Sequence, residues 1–167
     1  MAKAYTRPTI DKPTPEDLPA LMELMREFAE SYDPPERLHA TPERMRAALF
    51  KDSPDVEAII VRGDEGACGF ALFWPCFHTW RGLPTLFIDS IYLRPEHRKG
   101  ALAMDIYSYL CSLAESRGYC RVEGIIDTTD AVLRHVYKSM GAKSDDYTFF
   151  YMNLGAASPK QQINEQD

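Results

Sequence analysis

Between Thr85 and Ile126 the chain reads as a long strand, a helix and a second strand, an order that leaves few folds open. Thr85–Leu93 is an apolar strand. Leu102, Ile106, Tyr109, Leu110 and Leu113 share one helical stripe that Gly118 closes, and Arg121–Ile126 is strand-like again. Two strands joined in this way through a helix lie parallel, with a right-handed crossover. The segments before them favour antiparallel pairing. Val56–Val61 and Ala67–Phe73 flank the turn Gly63-Asp64-Glu65-Gly66 and predict a hairpin. Further upstream, residues 5–10 form a short strand, and Thr14-Pro15-Glu16-Asp17 opens a helix striped by Leu18, Leu21, Met22, Met25, Phe28 and Ala29. Thr41-Pro42-Glu43 opens another, with Met45 and Leu49 facing inward. Downstream, Asp130 caps a helix bearing Leu133, Val136, Tyr137 and Met140, Gly141 ends it, and Tyr147–Leu154 is a final strand. The order β-α-α-β-β-β-α-β-α-β predicts a mixed α/β sheet with helices on both faces. One domain is expected over residues 1–154, with residues 155–167 as a flexible polar tail.

Composition narrows the possible partners. Hydrophobic residues make up 45% of the 167, enough for a packed core. No run approaches the roughly 20 apolar residues that cross a bilayer. The beginning MAKAYTRPTI has no apolar stretch behind its charges, so a cytoplasmic protein with no membrane partner is expected. With 25 acidic and 19 basic residues the formal charge is −6, which disfavours nucleic acid and suits a cationic small molecule. Cys68, Cys76, Cys111 and Cys120 form no C-x-x-C pair and have no nearby histidine pattern, so reduced thiols and no metal are expected.

The segment Asp89–Ala103, D-S-I-Y-L-R-P-E-H-R-K-G-A-L-A, is the most informative. An apolar strand runs into a proline, then into basic and small residues that open an amphipathic helix. Amides at a helix start lack intrahelical partners and the dipole is positive there, so phosphates bind well. Small side chains allow close backbone approach, and Arg98 and Lys99 add positive charge.

This segment and the order of elements resemble the GCN5-related N-acetyltransferases, whose Arg/Gln-x-x-Gly-x-Gly/Ala motif opens the helix after the fourth strand. The motif falls on Arg98, Ala101 and Ala103. Tyr137-Lys138-Ser139-Met140-Gly141-Ala142 is similar to the family's F-Y-x-x-x-G-A segment. The resemblance covers most of residues 7–154. Within the family, Phe77-His78-Thr79-Trp80-Arg81-Gly82 followed by Asp89, and Arg26-Glu27-Phe28-Ala29-Glu30, resemble the diamine and polyamine branch. Three departures from the pattern stand out: Ala101 in place of a glycine, Asp130 in place of an asparagine, and Asp89-Ser90 in place of a Glu-Asp pair.

The resemblance implies acetyl-CoA as co-substrate, bound by the amides of Ile91, Tyr92 and Leu93 and by Arg98, Lys99, Gly100, Ala101, Leu102, Ala103 and Asp130. It also implies a homodimer. The acceptor amine, protonated near neutrality, must lose a proton before attacking a thioester. Asp89 interrupts an apolar strand, where burial would raise its pKa, and is the candidate base, through a water. A structural ion pair is the other reading of Asp89. Tyr137 is the candidate proton donor to the leaving thiolate, with core packing as its alternative. Tyr32, Asp33, Trp80 and Asp89 are candidates for binding a small cationic amine such as a diamine, polyamine or lysine-like compound. His97 lies in the coenzyme loop, His135 faces away from the Leu133–Tyr137 stripe, and His78 is expected to be exposed. A protein-lysine or drug-amine acetyltransferase, or a non-catalytic acyl-CoA sensor, are the alternatives.

Overall fold

The computed structural model of the chain describes residues 7–32, 35, 37–98, 101–126 and 131–144. Its contacts group into two units, residues 1–125 and 126–167. Among the described residues the first contains five strands, β1 (Thr9–Asp11), β2 (Glu57–Gly63), β3 (Gly66–His78), β4 (Leu83–Leu93) and β5 (Val122–Gly124), ordered β1-β2-β3-β4-β5. Its helices are α1 (Leu18–Glu30), α2 (Pro42–Leu49) and α3 (Leu102–Ser116). The first four strands pair antiparallel, and β5 joins β4 in parallel, as expected when a helix connects them.

The sheet is covered on both faces. Ile59, Val61, Ala71, Phe73, Leu86, Ile88 and Leu93 pack with Leu102, Ile106, Leu110 and Ala114 of α3. Ala58, Phe70, Leu72 and Tyr92 pack with Leu18, Leu21, Leu24 and Met25 of α1 and Leu49 of α2. Alternate strand residues therefore go to opposite cores, which is the period-two rule of a pleated sheet. Local signals set the helix starts. A 3₁₀ turn at Pro15–Asp17 precedes α1, and there the Asp17 carboxylate accepts the Thr14 N–H at 2.8 Å. Thr41 Oγ1 accepts the Arg44 N–H at the start of α2, at 3.3 Å. Gly118, at φ 71°, reverses the chain after α3.

Strand limits differ from the sequence reading. The β3–β4 hairpin is longer, because Pro75 does not end β3. β2 pairs with β3 only as far as Phe73, so beyond that point β3 is an edge where a proline is tolerated. His78 is therefore the last residue of the strand. It is half-buried, not exposed, and its Nδ1 is buried without a hydrogen-bond partner among the described residues. β5 is shorter than Arg121–Ile126.

The second unit contains α4 (Ala131–Ser139), which ends as expected. The N–H groups of Met140 and Ala142 both donate to Tyr137 O, and Gly141 takes φ 85°. The expected strand Tyr147–Leu154, the tail 155–167 and the cap Asp130 lie outside the described residues.

Candidate active site

The site grows from one irregularity in β4. Leu72 pairs with Ser90 and Phe73 with Ile88, which leaves Asp89 as an extra residue, a β-bulge. The bulge switches the phase of the strand. Before it, Leu86 and Ile88 face the α3 core; after it, Ile91 and Leu93 do. Pairing with β5 ends at the same place, at Ile88↔Gly124. Gly124 sits so close that a Cβ there would lie 2.9 Å from Ile88 O. Beyond Ile88, no strand among the described residues pairs with this edge of β4.

The hydrogen-bond phase shows which amides that edge presents. Arg94 N–H donates to Cys68 O at 2.9 Å, so Tyr92 and Ser90 also turn their backbone groups toward β3. Ile91 and Leu93 turn theirs to the open side, where Leu93 O accepts Arg98 Nε at 2.8 Å. Of the three amides singled out from the sequence, those of Ile91 and Leu93 are therefore available, and that of Tyr92 belongs to the β3 ladder. Tyr92 is instead a core residue: its ring is buried, packs 5.5 Å from Phe28, and lies under the Arg98 guanidinium at 5.5 Å.

Arg98 thus folds back onto the end of β4. Ala101 precedes α3 with no side-chain cap, leaving first-turn amides available to an anion. Leu102 is buried in the α3 core and Ala103 is exposed beside it. Lys99 and Gly100 lie outside the described residues, as does Asp33.

Asp89 itself is exposed, a correction to the expectation of a buried carboxylate. A bulge residue stands out of the ladder, which is why the apolar strand does not enclose it. Loss of surrounding water still raises its carboxyl above the usual aspartate range, opposed by the neighbouring Ser90 hydroxyl. No basic partner enters that balance. Tyr137, in the second unit, is half-buried, and burial pushes its phenol up, which keeps the proton on it at neutral pH. Trp80 is 94% exposed at the tip of the β3–β4 hairpin. Asp89 lies six residue steps along β4 from Leu83, about 20 Å at ~3.3 Å per residue, so the fold does not bring Trp80 to Asp89. Tyr32 is exposed at the end of α1 and leans on Phe28, with ring centroids 5.2 Å apart. His97 lies beside Gly63, and His135 is exposed on α4. The four cysteines are free, and burial raises the thiols of Cys68 and Cys111, which makes them poor nucleophiles.

One network was not read from the sequence. Arg94, just past β4, forms a two-pronged pair with Glu27 of α1, at 3.0 Å and 2.7 Å. Tyr92 Oη donates to the same carboxylate at 3.4 Å, and Arg94 Nη1 donates to Ala67 O at 3.2 Å. This ties the helix on one face to the strand end that carries the open amides.

Such a sheet, with a central strand bulged and parted from its neighbour ahead of an uncapped helix, matches a known class. The family model for the acetyltransferase (GNAT) family covers residues 18–142. The chain belongs to this family and is an acetyltransferase, of a kind that uses acetyl-CoA as co-substrate. It is 28% identical over 110 residues to a thialysine N-epsilon-acetyltransferase of Caenorhabditis elegans, covering 66% of this chain and 67% of that one. It is 24% identical over 129 residues to tyramine N-feruloyltransferase 4/11 of Nicotiana tabacum, covering 77% of this chain but only 56% of that one. The fold matches the crystal structure of a ribosomal-protein-alanine N-acetyltransferase from Brucella melitensis biovar Abortus 2308, with a TM-score of 0.68 and 20% identity over 89% of this chain and 100% of that one. It also matches an aminoglycoside acetyltransferase from an uncultured soil metagenomic sample, with a TM-score of 0.75 and 14% identity over 89% of this chain and 97% of that one.

Proposed function

We propose that the chain transfers acetyl from acetyl-CoA to the primary amine of a small cationic acceptor, of diamine, polyamine or lysine-like type, by direct attack. The observation that carries this reading is the bulge at Asp89. It sets a carboxylate of raised pKa in the strand that also presents the outward amides of Ile91 and Leu93. The small-amine acceptor named for the thialysine relative supports the acceptor class.

In this reading Asp89 takes a proton from the acceptor ammonium through a water, and the freed nitrogen attacks the thioester carbonyl. The outward N–H groups of Ile91 and Leu93 donate to the carbonyl oxygen as it gains charge. The carbon–sulfur bond then breaks, Tyr137 gives its phenolic proton to the departing sulfur, and the attacking nitrogen releases its second proton to solvent, from which Tyr137 is reprotonated. The uncapped start of α3, with Arg98, is where the coenzyme's phosphates would lie. Lys99, Gly100 and Asp130 belong to the same proposal, as do a cytoplasmic location and a homodimer. A panel of diamines, polyamines, lysine analogues, aminoglycosides and lysine peptides, followed by thiol release, tests the acceptor class. Turnover confined to peptides or aminoglycosides would contradict it.

A further inference from the structure

On the face of the sheet shared by Phe70, Leu72 and Tyr92, β3 and β4 continue past the residues packed by α1 and α2. There Trp74 and Phe87 pair across the strands and stack, with ring centroids 5.1 Å apart at 29°, both half-buried. Glu123 of β5 pairs with Phe87 from the other side. Its carboxylate accepts the hydroxyl of fully buried Thr85 at 2.5 Å and pairs with Arg121, and 28% of its side chain stays open. Asp89 follows two residues after Phe87. Phe87, backed by Trp74 on β3, therefore has one carboxylate beside it on β5, held in place by a buried hydroxyl, and another further along β4 at the bulge.

We propose that Glu123 is a specificity-determining residue that receives the distal cation of a diamine acceptor laid over the Phe87 ring, which Trp74 backs from β3, with its reacting nitrogen toward Asp89. This rests on the amine-acetylating function proposed above. Aromatic faces attract alkylammonium groups, and a carboxylate already fixed by Thr85 loses little freedom on pairing with one. Strand spacing puts the backbones of Phe87 and Glu123 about 5 Å apart and adds roughly 7 Å along β4 to Asp89. That separation suits a short diamine. Arg121 neutralises Glu123 when no acceptor is present and competes with the incoming cation.

The test uses the full chain, acetyl-CoA, and two probes of equal length, 1,4-diaminobutane and 1-aminobutane. Glu123→Gln keeps an acceptor for the Thr85 hydroxyl and should raise KM for the diamine about tenfold. KM for the monoamine and for acetyl-CoA should stay unchanged. Arg121→Gln should lower the diamine KM several-fold and leave the monoamine alone. Equal effects on both amines, no effect of either variant, or a changed acetyl-CoA KM in Glu123→Gln would overturn the assignment. A wild-type enzyme that acetylates the diamine, with its diamine KM unchanged in Glu123→Gln, would overturn it while leaving the proposed function standing. A wild-type protein that acetylates no amine would overturn both.

Discussion

Asp89 combines exposure with a raised carboxyl pKa, and its sign makes the residue testable. A carboxylate whose pKa rises on folding disfavours the charged folded state. Its cost appears as pH climbs through the unfolded aspartate value, about 3.9, and is complete above the folded one. Asp89→Asn should therefore leave the melting temperature unchanged or raise it at neutral pH, and remove the acidic limb of kcat/KM. A lowered melting temperature with an intact pH profile would make Asp89 structural. Tyr137→Phe should lower kcat by roughly 10²–10⁴ with little change in coenzyme affinity, since only the proton donor is lost. Single-turnover rates and coenzyme titration separate these effects. Part of this was readable in advance. A lone acid in an apolar strand announced Asp89, and the three-residue step from Ile88 to Ile91, breaking the step of two, is the signature of the bulge. Its exposure follows from that bulge, which a regular strand reading left out.

At the scale of elements, β4 depends on close backbone contacts and one polar tie. A Cβ on Gly69 would lie 2.6 Å from Tyr92 O, so Gly69→Ala should force the β3 ladder off the strand end that carries the open amides. A cost of roughly 1–3 kcal/mol is expected from such overpacking, readable by denaturant titration. The Glu27–Arg94 pair joins α1 to the same strand end, and both side chains are less than a third exposed. Arg94 holds the Glu27 carboxyl below its usual range, and burial partly opposes it. The resulting stability is present above the unfolded glutamate pKa of about 4.3 and is lost as pH falls through the folded value. Glu27→Gln should cost roughly 1–3 kcal/mol at pH 7, with the difference from wild type closing in acid. Elements with local signals were legible: the Thr41 cap, the α3 stripe of Leu102, Ile106, Leu110 and Leu113 and the Gly141 end stand where the sequence puts them, whereas Tyr109 of the expected stripe is exposed. The length of β3 was not, because whether Pro75 ends a strand depends on how far β2 accompanies it. Nor was Glu27–Arg94, a pair 67 positions apart that no local pattern announces.

For the molecule as a whole, the alternation of strand and helix was enough to foresee a mixed sheet covered on both faces, since each element's period declares its buried side. The parting of β4 from β5 was not readable from periodicity. It arises from pairing that stops at Gly124 while β4 runs on to Leu93. That parted edge, with the uncapped start of α3, should make the fold responsive to its co-substrate. At ~100 times its dissociation constant, acetyl-CoA should add about 2.7 kcal/mol of stability, and a phosphate-trimmed analogue should add less. The most direct measurement is coupled product analysis: purified protein, acetyl-CoA and 1,4-diaminobutane, with free coenzyme thiol and N-acetylated amine quantified together. Thiol release that depends on the amine, with one acetylated amine per thiol and loss of both in Tyr137→Phe, is the predicted result. Coenzyme that binds and stabilises the protein, yet yields no acetylated product with any amine across the acceptor panel, would contradict the assignment of Asp89 and Tyr137 as catalytic groups.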